Sequence, residues 1–125
     1  MKKTVSVKKT FDFRKTLNYG KFSRGRYISV YILKRKKEEP ENQNLFGICV
    51  SKKHGNSVVR NKLKRWAREG YTKIEEFLKE GYIIVVLYKK NVKEALESNE
   101  IDFFKIEEEM KEQLYSLEMI KNEEK

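Results

Sequence analysis

Residues 82–88 read YIIVVLY, apolar at nearly every position and rich in β-branched side chains. A strand with one wet face would alternate polar and apolar residues, so this segment predicts a central strand covered on both faces. It therefore demands neighbours on either side and a layer above and below. A chain of 125 residues with 38% hydrophobic and 12% aromatic residues can supply that cover in one domain spanning residues 1–125.

The neighbours follow from periodicity. The stretch RYISVYILKR, residues 26–35, alternates Ile28, Val30 and Ile32 against Tyr27, Ser29 and Tyr31, as a half-buried strand does. LFGICVSK, residues 45–52, predicts a second strand, and the loop KKEEPENQN between them carries the only proline and predicts a long hairpin. FDFRKTLNYG predicts a short helix capped by Thr10, with Asp12 in its first turn and Gly20 ending it. Apolar spacing continues a second helix from residue 57 to about 79, with a possible break at Gly70 and a stop at Gly81. In IDFFKIEEEMKEQLYSLEMI, residues 101–120, Ile101, Phe104, Met110 or Leu114, and Leu117 recur at helical spacing under an acidic outer face. The expected order is helix-strand-strand-helix-strand-helix, an α+β domain with a sheet covered by helices. Residues 1–8 and 120–125 are expected to fray.

Charge is distributed unevenly along this order. The net charge is +10, yet residues 90–125 hold 6 Lys against 11 Asp or Glu, which leaves the first 89 residues at +15. Such a field favours a polyanionic partner. The single cysteine, Cys49, lies in an apolar run, so it predicts a small packed hydrophobe in a reducing compartment and excludes an intrachain disulfide or a thiolate metal cluster. MKKTVSVKK has basic residues without an apolar stretch after them, and no run approaches the ~20 residues of a membrane span. A cytoplasmic protein with no membrane partner is expected.

The positive charge concentrates in SKKHGNSVVRNKLKRWAR, where Lys52, Lys53, Arg60, Lys62, Lys64, Arg65 and Arg68 appear with no acid before Glu69. At about 100° per residue, Arg60, Lys64 and Arg68 form one stripe, flanked by Asn61 and Arg65. Val59, Leu63, Trp66, Ala67 and Gly70 fall opposite, ready for a core. A solvated helix usually mixes signs to gain i,i+4 pairs, whereas this one accepts like-charge repulsion that phosphates would relieve. Upstream, Phe11, Phe13, Tyr19, Phe22, Tyr27 and Tyr31 are more aromatics than a short helix and a strand need. With Lys8, Lys9, Arg14 and Arg26 they suggest a groove for single-stranded RNA, where bases stack on aromatic faces.

Candidates for protein-based catalysis are few. His54 is the only histidine, so no histidine pair exists for acid and base work, and it predicts a polar loop residue. The acids of the last helix and the proline loop are interleaved with Lys, as on a solvated face. No residue is assigned a catalytic or metal-binding role. Three functions remain to be weighed: a subunit of an RNA-processing enzyme, a structural ribosomal or RNA-chaperone protein, and a nuclease using His54 with a carboxylate.

The segment VSKKHGNSVVRNKLKRWARE resembles the signature of the bacterial ribonuclease P protein family: a strand ending in Ser-Lys-Lys, a Gly-Asn pair, then a basic motif opening a helix. FDFRKTLNYGKF is similar to the family's first helix, and the resemblance runs from about residue 8 to residue 117. It implies a small α/β sandwich with a left-handed crossover around the basic helix. It also implies a ribonucleoprotein whose RNA subunit is the catalyst, using Mg²⁺ bound mainly by that RNA to remove the 5′ leader of precursor tRNA, with one protein per RNA. By position, Arg60, Asn61, Lys62, Lys64, Arg65 and Arg68 would face the RNA subunit. Lys9, Phe13, Leu17, Arg26, Tyr31, Lys52 and Lys53 would line the leader groove. Three departures stand out: Lys62 replaces a frequent Arg, Leu17 a frequent aromatic, and the end of YIIVVLYKK differs from the family's, so no contact is carried to Lys89 or Lys90.

Overall fold

The structure is a computed structural model that describes residues 4–36 and 43–121. In chain order its elements are β1 (Thr4–Ser6), α1 (Thr10–Tyr19), β2 (Lys21–Arg24), β3 (Ile28–Lys34), β4 (Asn44–Cys49), α2 (Ser57–Ile74), β5 (Tyr82–Tyr88), α3 (Val92–Glu97) and α4 (Phe103–Ser116). Two 3₁₀ turns, Lys52–His54 and Glu75–Phe77, flank α2. The strands form one sheet in the order β1-β4-β5-β3-β2. The expected α+β class is observed, and β5 is its central strand, with Ile83, Ile84, Val85 and Val86 all buried.

The alternation along β5 divides the core in two. Ile84, Val86 and Tyr88 pack with Phe46, Leu63, Trp66, Tyr71, Ile106 and Met110 beneath α2 and α4. On the other face, Ile83 and Val85 meet Val7, with Phe13, Leu17, Tyr31, Leu45 and Cys49 only partly buried around them. One side of the sheet is thus sealed by two long helices, and the other is roofed by the ten residues of α1.

Handedness follows from residue chirality. Val7 N–H donates to Phe46 O at 2.9 Å, and the Val7 side chain lies on the α1 side. With L-residues, that pairing puts β4 to the right of β1 when the sheet is viewed from α1 with β1 pointing up. Lys89 N–H donating to Tyr27 O orders β5 and β3 in the same sense. Viewed from the α2 side, β5 then lies to the left of its parallel neighbour β4, so the β4–α2–β5 connection is left-handed, against the usual rule.

Several expectations need correction. β3 and β4 are not a hairpin, because β5 lies between them, antiparallel to β3 and parallel to β4; residues 37–42 of the proline loop lie outside the described residues. β1, in the segment expected to fray, pairs parallel with β4, and Thr4 Oγ1 lies 2.8 Å from the Tyr71 hydroxyl. Ile120 likewise bridges to Leu78, while residues 122–125 lie outside the described residues. β2 pairs with β3 although its residues are mostly exposed, so it carries no burial signal. Lys9, not Thr10, occupies the α1 N-cap, without a side-chain bond. Helix α2 runs unbroken through Gly70, which faces Glu107 and Met110 of α4, and ends at Ile74. Of the apolar positions expected in the last helix, Phe104 is exposed while Gln113 is buried.

The acidic helix is more than a solvated face. Glu109 accepts hydrogen bonds from Tyr27 and Ile28 N–H at 3.0 and 3.1 Å. Gln113 accepts from Val30 N–H and donates to Ile28 O, both at 3.0 Å. Two side chains one turn apart therefore serve as ladder partners for the start of β3, and Gly25 leaves room for both.

Candidate nucleic-acid interface

The basic segment is built as a turn followed by a helix. Ser51 caps the 3₁₀ turn by accepting from Lys53 N–H at 3.2 Å, and Asn56 caps α2 by accepting from Val59 N–H at 3.0 Å. Leu63, Trp66, Ala67, Gly70, Tyr71 and Ile74 are buried against the sheet and α4. This rotation leaves Asn61, Lys62, Lys64, Arg65 and Arg68 exposed and Arg60 half-buried. The buried Arg60 Nε has no hydrogen-bond partner. Among the described residues the only ion pair of this stripe joins Arg65 to Glu69 at 3.9 Å, both largely exposed, and such a pair stabilises little. Lys62 instead rests over the Trp66 ring at 5.1 Å. Apart from Arg65, the stripe is a row of cations without counterions among the described residues.

A groove opens where the C-terminal ends of β4 and β5 meet the start of α1, the 3₁₀ turn before α2 and Lys64 of α2. Its volume is ≈ 670 Å³, with Phe13, Ile48, Cys49 and Tyr88 among its apolar lining and Lys53, Lys64 and Lys90 as its cations. Phe13 gets its place from Gly47, since a Cβ there would stand 2.6 Å from the ring. Tyr88 fixes the groove to the basic helix by donating its hydroxyl to Leu63 O at 2.7 Å, and burial pushes its phenol well above the usual range. Burial also pushes the Cys49 thiol up, which keeps it protonated and unreactive.

The expected site residues are brought together only in part. Phe13 and Lys53 line the groove beside Lys64, and exposed Lys9 and Lys52 sit in the adjoining α1 cap and 3₁₀ turn. Leu17 and Tyr31 lie farther along the α1 face, where the Tyr31 ring is 5.5 Å from that of Phe22. Arg26 is elsewhere: its guanidinium lies over Tyr27, next to Glu108, Glu109 and Glu112 of α4. Tyr27 itself is core rather than groove. Sequence reasoning missed Thr10 and Lys90 as lining residues. For Lys90 a signal existed, because residues just past parallel strand ends border the natural crevice of an open sheet.

His54 is not the loop residue expected. It is buried, its Nδ1 accepts from Ser51 N–H at 3.0 Å, and its Nε2 lies 3.0 Å from Lys89 O. With both ring nitrogens committed to backbone, it has no free position for acid–base work. The groove's charged groups are ammonium ions, which repel a divalent cation, and no described cluster of His, Cys, Asp or Glu could hold a metal. Among the described residues no helix is long and apolar enough to cross a membrane.

Fold and face together define a class: small α/β sandwiches that set a cationic helix, on a left-handed crossover, beside an apolar groove with lysines at its rim. The ribonuclease P family model matches residues 1–118. The chain is 38% identical over 94 residues to the ribonuclease P protein component of Clostridioides difficile, covering 74% of this chain and 79% of that protein. It is 33% identical to that of Natranaerobius thermophilus, covering 87% and 86%. The Staphylococcus aureus RNase P protein structure superposes with a TM-score of 0.76 at 27% identity, covering 93% of this chain and 97% of that one. The Thermotoga maritima RNase P protein gives 0.67 at 31%, covering 79% and 84%. The chain belongs to the ribonuclease P protein family. Membership makes it a protein component of a ribonucleoprotein endoribonuclease, partnered with ribonuclease P RNA in tRNA 5′ processing.

Proposed function

We propose that the α2 stripe binds the ribonuclease P RNA, through Arg60, Asn61, Lys62, Lys64, Arg65 and Arg68, while the groove and the neighbouring α1 face bind the 5′ leader of precursor tRNA. The observation that carries this reading is the row of cations on α2, of which only Arg65 meets an acid among the described residues, running into a groove with an apolar floor and lysines at its rim. Phosphates would supply the missing counterions, and Phe13 would offer a face to an unstacked leader base. Lys9, Lys52 and Lys53 would track the leader backbone, with Leu17 and Tyr31 as apolar contacts farther along. Arg26, turned toward α4, has no part in this groove.

Hydrolysis would then belong to the RNA, with Mg²⁺ held by its phosphates rather than by this cationic surface, and with one protein per RNA in the cytoplasm. Protein cations would replace part of the counterion requirement and so lower the Mg²⁺ needed for cleavage. The test is cleavage of a precursor tRNA by a bacterial ribonuclease P RNA at low Mg²⁺, with and without this chain. Strong stimulation is expected. Tight RNA binding without stimulation would favour the ribosomal or chaperone function instead. Arg65→Ala should weaken assembly with the RNA, whereas Phe13→Ala should weaken binding of leader-bearing tRNA more than of mature tRNA. Equal loss on the two ligands would remove Phe13 from the leader path.

A further inference from the structure

Lys53 and Lys90 belong to different elements, the 3₁₀ turn before α2 and the turn after β5, and both reach the groove. One buried side chain ties these turns together. Because His54 Nδ1 accepts from Ser51 N–H, the ring proton resides on Nε2, which donates to Lys89 O across the gap. Lys89 is a firm anchor for that bond. Its N–H donates to Tyr27 O at 2.9 Å and its ammonium to Gly25 O at 2.8 Å, so its side chain is engaged with the β2–β3 turn. Asn91 adds a bond from Nδ2 to Arg26 O at 3.1 Å. Lys90, between them, is exposed and free to meet a ligand.

Two lysines on independently moving turns would have to be ordered by the ligand, at a cost to affinity. Two lysines on turns already joined avoid much of that cost. Resting on the leader-binding reading of the groove, in which Lys53 and Lys90 stand at its rim, we propose that His54 is a positioning residue whose bond to the Lys89 carbonyl fixes the separation of those two lysines.

The test separates the two bonds of the ring. In His54→Asn the side-chain oxygen stands two bonds from Cβ, as Nδ1 does, so the Ser51 bond survives and the link to Lys89 is lost. In His54→Gln the amide nitrogen stands three bonds from Cβ, as Nε2 does, so the link can be kept. Complexes with a bacterial ribonuclease P RNA are titrated with precursor tRNA and with mature tRNA, and thermal midpoints of the free proteins are taken alongside. His54→Asn should lower affinity for precursor relative to mature tRNA about fivefold, the scale of one net hydrogen bond or ordered contact, with His54→Gln recovering most of it. Lys90→Gln should give a similar loss, and the double variant His54→Asn/Lys90→Gln should bind no worse than Lys90→Gln alone. Failure of Gln to rescue, equal loss on both tRNAs, or additive losses in the double variant would each overturn the proposal. A wild-type complex that binds both tRNAs equally would instead sink the leader-groove reading on which it rests.

Discussion

Replacing Gly70 by Ala should stabilise this protein, against the general run of substitutions. Gly70 lies inside α2, where glycine costs about 1 kcal/mol relative to alanine because the unfolded chain has more freedom to lose. The new Cβ would stand 3.5 Å from Glu107 Cα, 3.6 Å from Glu107 Cβ and 3.7 Å from Met110 Cε. These are ordinary van der Waals separations, each adding roughly 0.1–0.2 kcal/mol of dispersion. The sum is a gain of about 1–1.5 kcal/mol, which for a domain of this size raises the thermal midpoint by roughly 3–6 °C. Urea denaturation followed by circular dichroism should show a higher midpoint with an unchanged slope. RNA affinity should not change, because Gly70 faces α4 while the cationic stripe faces away. A lowered midpoint would refute the reasoning and mean that α2 and α4 need the bare backbone to approach.

Glu109→Ala removes the acceptor for Tyr27 and Ile28 N–H and should cost about 2–4 kcal/mol, read from the urea midpoint, whereas Glu109→Gln, which keeps an oxygen there, should cost about 1. Alkaline pH should unfold the protein partly through Tyr71, whose phenol burial pushes up to about 12 from the ordinary 10. The folded state favours the neutral phenol, so this stabilisation is intact below pH 10 and falls away between about pH 10 and 12, by roughly 2–3 kcal/mol. Tyr71→Phe should flatten that part of the stability profile, and an unchanged slope would show that other groups govern it.

The parts of the molecule written in local pattern were legible in the sequence. YIIVVLY specifies a strand buried on both faces, and the spacing of Leu63, Trp66, Ala67, Tyr71 and Ile74 fixes which side of α2 is wet. What escaped depends on partners distant in the chain. β1 is three residues long and exists because β4, some forty positions later, offers its edge. β2 presents Lys21, Phe22 and Arg24 to solvent, so no buried face announces it. The false hairpin came from the general rule that sequential strands are neighbours, which fails where β5 inserts between β3 and β4. At the groove, Phe13 and Lys53 were expected and Lys64 was expected only on the RNA-facing stripe, while the direction of Arg26 and the burial of His54 are properties of turns that no periodicity encodes. Glu109 and Gln113 read as surface residues because their backbone partners lie more than eighty positions away.

The sheet order also constrains how the chain can fold as it is synthesised. Until residues 82–88 have emerged from the ribosome, β2–β3 and β1–β4 are two separate pairs with nothing to join them, and a two-stranded ribbon is marginal by itself. The segment made first is the one that carries the cationic excess. A nascent chain halted before Tyr82 would therefore be an open, strongly basic polypeptide surrounded by ribosomal RNA, held from compaction by a missing strand and drawn toward nonspecific polyanions. Burial of Ile83 to Val86 is thus the event that turns a sticky basic peptide into a shaped surface, and a polypeptide lacking β5 should be degraded or captured rather than accumulate as a folded half.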